Sequence, residues 1–208
     1  MNPKKRVAVL ISGRGSNMSA LIEAAKAKDY PAEIVLVVSN RPDAAGLARA
    51  REAAIATAVI DHRLFRDDRA AFERALDDEL REYRIDIVCL AGFMRLLTPW
   101  FITRWSGRIL NIHPALLPEF KGLDTHRRAL AAGVKRHGAT VHFVVEETDA
   151  GPVISQQSVP VLQGDTEDTL AARVLEIEHR IYPEALRLVA EGQAKFAKPQ
   201  PEIKNPRV

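Results

Sequence analysis

The stretch RVAVLISGRGSN, Arg6 to Asn17, decides the fold. Val7 to Ile11 is an unbroken apolar run, too short for a buried helix, and it is bounded by turn residues. Such a run reads as a strand buried on both faces, the mark of a parallel sheet. Ser12 to Gly15 interrupt it, and a helix opens near Ser16. The same alternation continues outward. EIVLVVS (Glu33 to Ser39) is the next strand, and DAAGLARAREAA (Asp43 to Ala54) the next helix, with Asp43 as its N-cap. TAVI (Thr57 to Ile60) is a short strand. A long helix follows from about Arg66 to Tyr83, where Ala70, Phe72, Leu76 and Leu80 recur near the helical period. DIVCLAGF (Asp86 to Phe93) and GRILNIH (Gly107 to His113) are two further buried strands.

This pattern predicts an α/β fold: a single-domain, doubly wound, mostly parallel sheet covered by helices on both faces, Rossmann-type in its N-terminal half. GATVHFVV and GPVISQQSVPV then follow one another with no helix between, so one of them is expected to pair antiparallel. A last helix is expected from Asp165 or Thr166 to about Glu191, kinked or divided at Pro183. The domain is expected over 1–191, a phosphate-binding half to about 100 and a catalytic part after it. Residues 192–208 read as a tail with little to bury.

Composition bounds the function classes. With 208 residues, 47% hydrophobic and 27% charged, the chain reads as one globular unit. A net charge of +3 suits an acidic small substrate and is too weak to argue for nucleic acid. Cys89 is the single cysteine and sits in an apolar run, so it reads as core, and a disulfide within the chain is impossible. The first residues lack the apolar length of a signal peptide, and no stretch approaches a membrane span. Cytoplasm is the expectation.

SGRGSN (Ser12 to Asn17) lies where the first strand hands over to a helix. Backbone amides and the helix dipole at such a place bind anions, and glycine lets a phosphate come close. A dinucleotide fingerprint would need a glycine or alanine where Met18 stands, and an acid where Ser39 and Asn40 stand. The loop therefore suits a single phosphate, or else is a glycine turn with Ser16 as N-cap.

In LNIHPALLPEF (Leu110 to Phe120), Asn111 and His113 share one face of a strand, and Pro114 ends it. Strand ends of an open parallel sheet are where ligands bind. An amide beside an imidazole can stabilise an oxyanion, and a carboxylate would favour the charged imidazole. Asp149, in the turn EETDAGPVI, is the candidate carboxylate. The plainer alternatives are a strand-end histidine bonded to a backbone carbonyl, and a solvated turn aspartate. His126, His137, His142 and His179 show no metal-ligand spacing, so no metal is expected. There is no nucleophile motif. AGFMRLLTP (Ala91 to Pro99) reads as a buried connector or as an apolar slot for a flat ring.

The segments VLISGRGSN, LAGFMRLLTP, ILNIHPALLPEFKG, HGATVHFV, DAGPVI and EHRIYPEAL together resemble the phosphoribosylglycinamide formyltransferases of purine biosynthesis. The resemblance covers about residues 6 to 190. It implies that Gly15, Ser16 and Asn17 hold the phosphate of glycinamide ribonucleotide, with Glu178 on its sugar side. It implies that Met94, Arg95, Leu96 and Leu97 line the pterin pocket of 10-formyltetrahydrofolate, and that Arg69 and Asn111 contact the folate. Asn111, His113 and Asp149 would form the catalytic trio, with His113 held as imidazolium. The implied partners are these two small molecules alone, without metal, nucleic acid or membrane, in a monomer or homodimer. Glu119, Lys121, Asp124 and Ala150 depart from the family's usual residues near the site.

A formyltetrahydrofolate hydrolase would use the same trio with water, but is expected to carry an N-terminal regulatory domain for which Arg6 leaves no room. An initiator-tRNA formyltransferase would need a C-terminal RNA-binding domain that the tail cannot supply. A non-catalytic nucleotide-binding module would have the glycine loop without the trio.

Overall fold

The computed structural model describes residues 3–197. Seven strands are present among them: β1 (Lys5–Ile11), β2 (Ala32–Ser39), β3 (Ala56–Val59), β4 (Ile87–Leu90), β5 (Ile109–His113), β6 (Arg136–Phe143) and β7 (Val153–Pro160). They form one sheet in the order β3-β2-β1-β4-β5-β6-β7. β1 pairs in parallel with β2 and β4, β2 with β3, and β4 with β5. β6 runs antiparallel to β5, and β7 antiparallel to β6. Among the described strands β6 alone opposes the others, as the missing helix between the last two runs led one to expect.

Side-chain alternation along β1 shows why the sheet is covered twice. Val7, Val9 and Ile11 pack on one face, with Met18 and Leu21 of α1 (Ser16–Ala25) and Leu47 of α2 (Gly46–Glu52). Leu170, Val174, Ile177 and Ile181 of α6 (Glu167–Ala190) join them. Ala8 and Leu10 pack on the other face, with Phe72, Leu76 and Leu80 of α3 (Arg69–Glu82) and Phe101 of α4 (Pro99–Arg104). Each large side chain buried this way contributes roughly 1.5–3 kcal/mol relative to exposure.

Several boundaries differ from the sequence reading. α2 is capped at Ala45 and not at Asp43, because Arg41 holds the Asp43 carboxylate at 2.9 Å. α3 starts three residues later than expected. Asp61 first caps a short 3-10 turn at His62–Phe65, and Asp68 then caps α3 by accepting from the Ala71 amide. α6 is one helix through Pro183. The face carrying Tyr182 and Pro183 is buried, and Tyr30 donates to the Pro183 carbonyl at 2.7 Å. α4 and α5 (Thr125–Ala131) were not foreseen. Beyond residue 191, Phe196 packs against the core with its ring 5.5 Å from that of Phe143, so this part of the expected tail does bury something. The remainder of that tail lies outside the described residues.

Candidate active site

The strand order reverses between β1 and β4, and the site grows from the carboxyl ends there. Leu10 is level with Leu90, and Leu90 with Asn111. The glycine loop, the segment after β4 and the Asn111–His113 pair therefore share one end of the sheet.

The glycine loop turns at Gly15, whose φ of +71° an L side chain rarely adopts, and a Cβ there would meet the Gly46 Cα at 3.1 Å. Gly15 is the N-cap and Ser16 the first helical residue, so the Ser16-cap alternative is corrected. Because the first amides of a helix have no internal partners, those of Ser16, Asn17 and Met18 remain available to an anion. Asn17 donates its amide to Glu178 Oε2 at 2.7 Å, while its Oδ1 is buried without a partner among the described residues. Burial raises the Glu178 carboxyl above its usual range, against the lowering effect of Asn17. The structure thus joins α1 and α6 at one buried polar pair beside the loop.

The segment after β4 is fixed from two sides. Met94 N–H donates to Ser12 Oγ at 2.8 Å, and Ser12 Oγ donates to Asn40 Oδ1 at 2.6 Å. From α3, Arg69 donates to the Leu96 carbonyl, and Glu73 accepts from the Thr98 amide at 2.6 Å and from its hydroxyl. Met94 and Leu96 are about two-thirds exposed, at 65% and 66%. Leu97 packs inward, and Arg95 lies over Phe72 at 5.9 Å. A pocket of about 420 Å³ opens here between Ser12, Asn40, Arg41, His62, Gly92 and Met94. An exposed apolar rim above braced backbone suits a flat ring. Arg69 braces this rim in the structure.

Asp149 comes to His113 because two turns are stitched together. Gly122 N–H donates to Asp149 Oδ2 at 2.9 Å, and Lys121 pairs with Glu147 at 2.8 Å. Asp149 itself has φ +52°, which aspartate tolerates better than most residues. His113 Nδ1 stands 3.5 Å from Asp149 Oδ2, both side chains under 10% exposed. His113 Nε2 donates to the Phe120 carbonyl at 3.0 Å, so the backbone-carbonyl alternative for this histidine holds alongside the carboxylate one.

A fourth residue completes the cluster. Asn111 and His142 are register partners across β5 and β6, and Asn111 Nδ2 lies 3.2 Å from His142 Nε2. The same nitrogen is 3.7 Å from Asp149 Oδ1, and His142 Nδ1 donates to the Phe143 carbonyl at 2.9 Å. Sequence reasoning considered His142 only as a metal ligand and dismissed it. Its place follows from alternation on β6 once the β5 register is known.

Burial lowers the His113 pKa below its ordinary value, outweighing the Phe120 carbonyl and Asp149, which favour the cation. That balance favours the neutral imidazole in the free site, where the resemblance implied an imidazolium. For Asp149, burial favours the neutral acid, but His142, the Gly122 amide and His113 outweigh it and keep the carboxyl below the usual range. Among the departing residues, Asp124 pairs with Arg127, and Glu119 and Ala150 are exposed. No group of three or more metal-ligating side chains occurs among the described residues.

Residues 5–186 match the formyl transferase family model. The chain is 50% identical over 190 residues to a phosphoribosylglycinamide formyltransferase of Escherichia coli strain K12, covering 91% of this chain and 89% of that one. It is 53% identical over 197 residues to the bovine trifunctional purine biosynthetic protein adenosine-3, spanning 94% of itself but only 19% of that longer protein. The crystal structure of phosphoribosylglycinamide formyltransferase from Brucella melitensis superposes with a TM-score of 0.87 at 54% identity, covering 93% of this chain and all of that one. Glycinamide ribonucleotide transformylase 1 from Symbiobacterium toebii gives 0.89 at 47% identity, over 92% and 90% of the two chains.

Proposed function

As the chain belongs to the formyl transferase family, we propose that it transfers the formyl group of 10-formyltetrahydrofolate to the amine of glycinamide ribonucleotide. The observation that carries this reading is the cluster of Asn111, His113, His142 and Asp149 at the same sheet end as the glycine loop. The ribonucleotide phosphate takes the free amides of Ser16 and Asn17, with Glu178 behind them. The pterin lies against Met94 to Leu97.

The amine attacks the formyl carbon, and negative charge gathers on the formyl oxygen. Asn111 donates to that oxygen. His113, neutral at the start, releases the Phe120 carbonyl, carries its ring proton on Nδ1 toward Asp149, and takes at Nε2 the proton that the amine loses, directly or through water. Asp149 stabilises the imidazolium formed in this way, and the proton passes on to the folate nitrogen as its bond to carbon breaks. A neutral histidine that becomes charged only during the reaction fits general acid–base catalysis near pH 7. Holding both substrates in one cleft supplies much of the remaining acceleration. The reaction needs no metal and takes place in the cytoplasm.

The test is loss of 10-formyltetrahydrofolate in the presence of purified protein, with and without glycinamide ribonucleotide. Consumption only with the ribonucleotide is expected. Consumption without it would replace the transferase by a hydrolase.

A further inference from the structure

At the other end of the sheet, before β4 and β5 begin, a pocket of about 350 Å³ is lined by Asp77, Arg81, Arg84, Arg104, Trp105 and Arg108, with Ile85 beside them. We propose that this pocket is a second anion site, separate from the cleft, and that it takes a phosphate monoester as its dianion.

The charge balance points to the ligand. Among the described residues Asp77 is the only carboxylate in the lining, and both its oxygens are engaged, by Arg104 Nε at 2.6 Å and by Trp105 Nε1 at 2.9 Å. Arg81, Arg84 and Arg108 form no ion pair among the described residues. α3 and α4 both end at the pocket, and a helix C-terminus carries at most about −0.5 of a charge. Four guanidinium groups against one carboxylate and two helix ends leave an excess of about two positive charges. That excess matches a dianion, and the planar fork of arginine suits phosphate oxygens.

The fold sets the plane of Arg108 and the backbone of Arg84. Arg108 donates to the Arg104 carbonyl at 2.8 Å and lies 4.3 Å over the Trp105 ring, which fixes its plane. Arg84 closes α3 with φ +53°, its amide on the Arg81 carbonyl and the Ile85 amide on the Leu80 carbonyl. Glycine or asparagine ordinarily fills that slot. An arginine there adds a charge to the pocket at the expense of backbone comfort. The volume exceeds what inorganic phosphate needs and lies in the range of small-ligand sites, which favours an organic phosphate.

Trp105 lines the pocket, whereas Trp100 opens α4 beside the cleft rim, so fluorescence is read in Trp100→Phe, where the signal of Trp105 reports on this end of the sheet. The full chain is titrated with glycerol 3-phosphate and with inorganic phosphate, against sodium chloride at matched ionic strength. A saturable change with either phosphate and none with chloride is expected, and the tighter of the two identifies esterified or free phosphate as the ligand. Arg81→Gln with Arg84→Gln should raise the apparent Kd at least about tenfold. Asn17→Ala, which alters the glycine loop, should leave it unchanged. Arg84→Gly, which suits the backbone there, gives the same test in a chain whose fold is not weakened. An equal response to chloride, an unchanged Kd in the arginine variants, or no saturation by about 10 mM overturns the proposal.

Discussion

Asn111 on β5 and His142 on β6 stand opposite each other with their side-chain nitrogens 3.2 Å apart. The imidazole thereby fixes the rotation of the amide that, in the proposed mechanism, donates to the developing oxyanion. In His142→Ala that amide turns freely. A misplacement of about 1 Å can cost up to ~10² in rate. kcat for formyl transfer should fall by about that factor, with both KM values changed less than threefold. Steady-state kinetics with each substrate varied checks this.

Glu73 is 1% exposed, and its carboxylate holds Thr98 through the amide and the hydroxyl. Glu73→Ala removes the brace from the Met94–Leu97 rim. The expected outcome is a KM for 10-formyltetrahydrofolate raised about tenfold, the counterpart of ~1.4 kcal/mol, with kcat little altered. A fall in kcat with unchanged KM would place Glu73 elsewhere in the account.

Gly15→Ala forces a side chain into the left-handed region, 3.1 Å from the Gly46 Cα. A cost of about 1–2 kcal/mol follows, visible as a Tm several degrees lower. The KM for glycinamide ribonucleotide should rise as well, because the same turn aims the Ser16 and Asn17 amides.

His137 is 1% exposed, and neither ring nitrogen has a hydrogen-bond partner among the described residues. Burial, then the neighbouring His126, push its pKa down from 6.5 to about 4. An unfolded His137 binds a proton that the folded one rejects, so its contribution to stability is complete above about pH 6.5 and is lost as pH falls toward 4. His113 and His126 are lowered in the same direction, also by burial first. Tm should therefore drop between pH 7 and pH 4, and His137→Leu should flatten the slope. A slope of the opposite sign would mean that His137 is charged in the folded chain.

The strands of the parallel half were legible because burial on both faces leaves unbroken apolar runs such as Val7–Ile11 and Ile87–Leu90. α4 and α5 were not, since six or seven residues are too few to establish a helical period. Asp43 misled because a carboxylate placed to cap a helix is equally placed to pair with Arg41. In the site, Asn111 and His113 declared themselves through local alternation. His142 did not, because its membership depends on the register of an antiparallel pair across 31 residues. The balance of burial and carboxylate at His113 was also out of reach. A sequence shows that a carboxylate can approach, but only the fold shows how much water is removed.

The most direct test of the central claim compares His113→Asn with the unaltered chain in acceptor-dependent formyl transfer, both verified as folded by thermal unfolding. Loss of the group that takes the proton should lower kcat by about 10²–10⁴ while leaving both KM values within a fewfold. Turnover near that of the unaltered chain would contradict the account, because the chemistry would then proceed without the proposed proton acceptor.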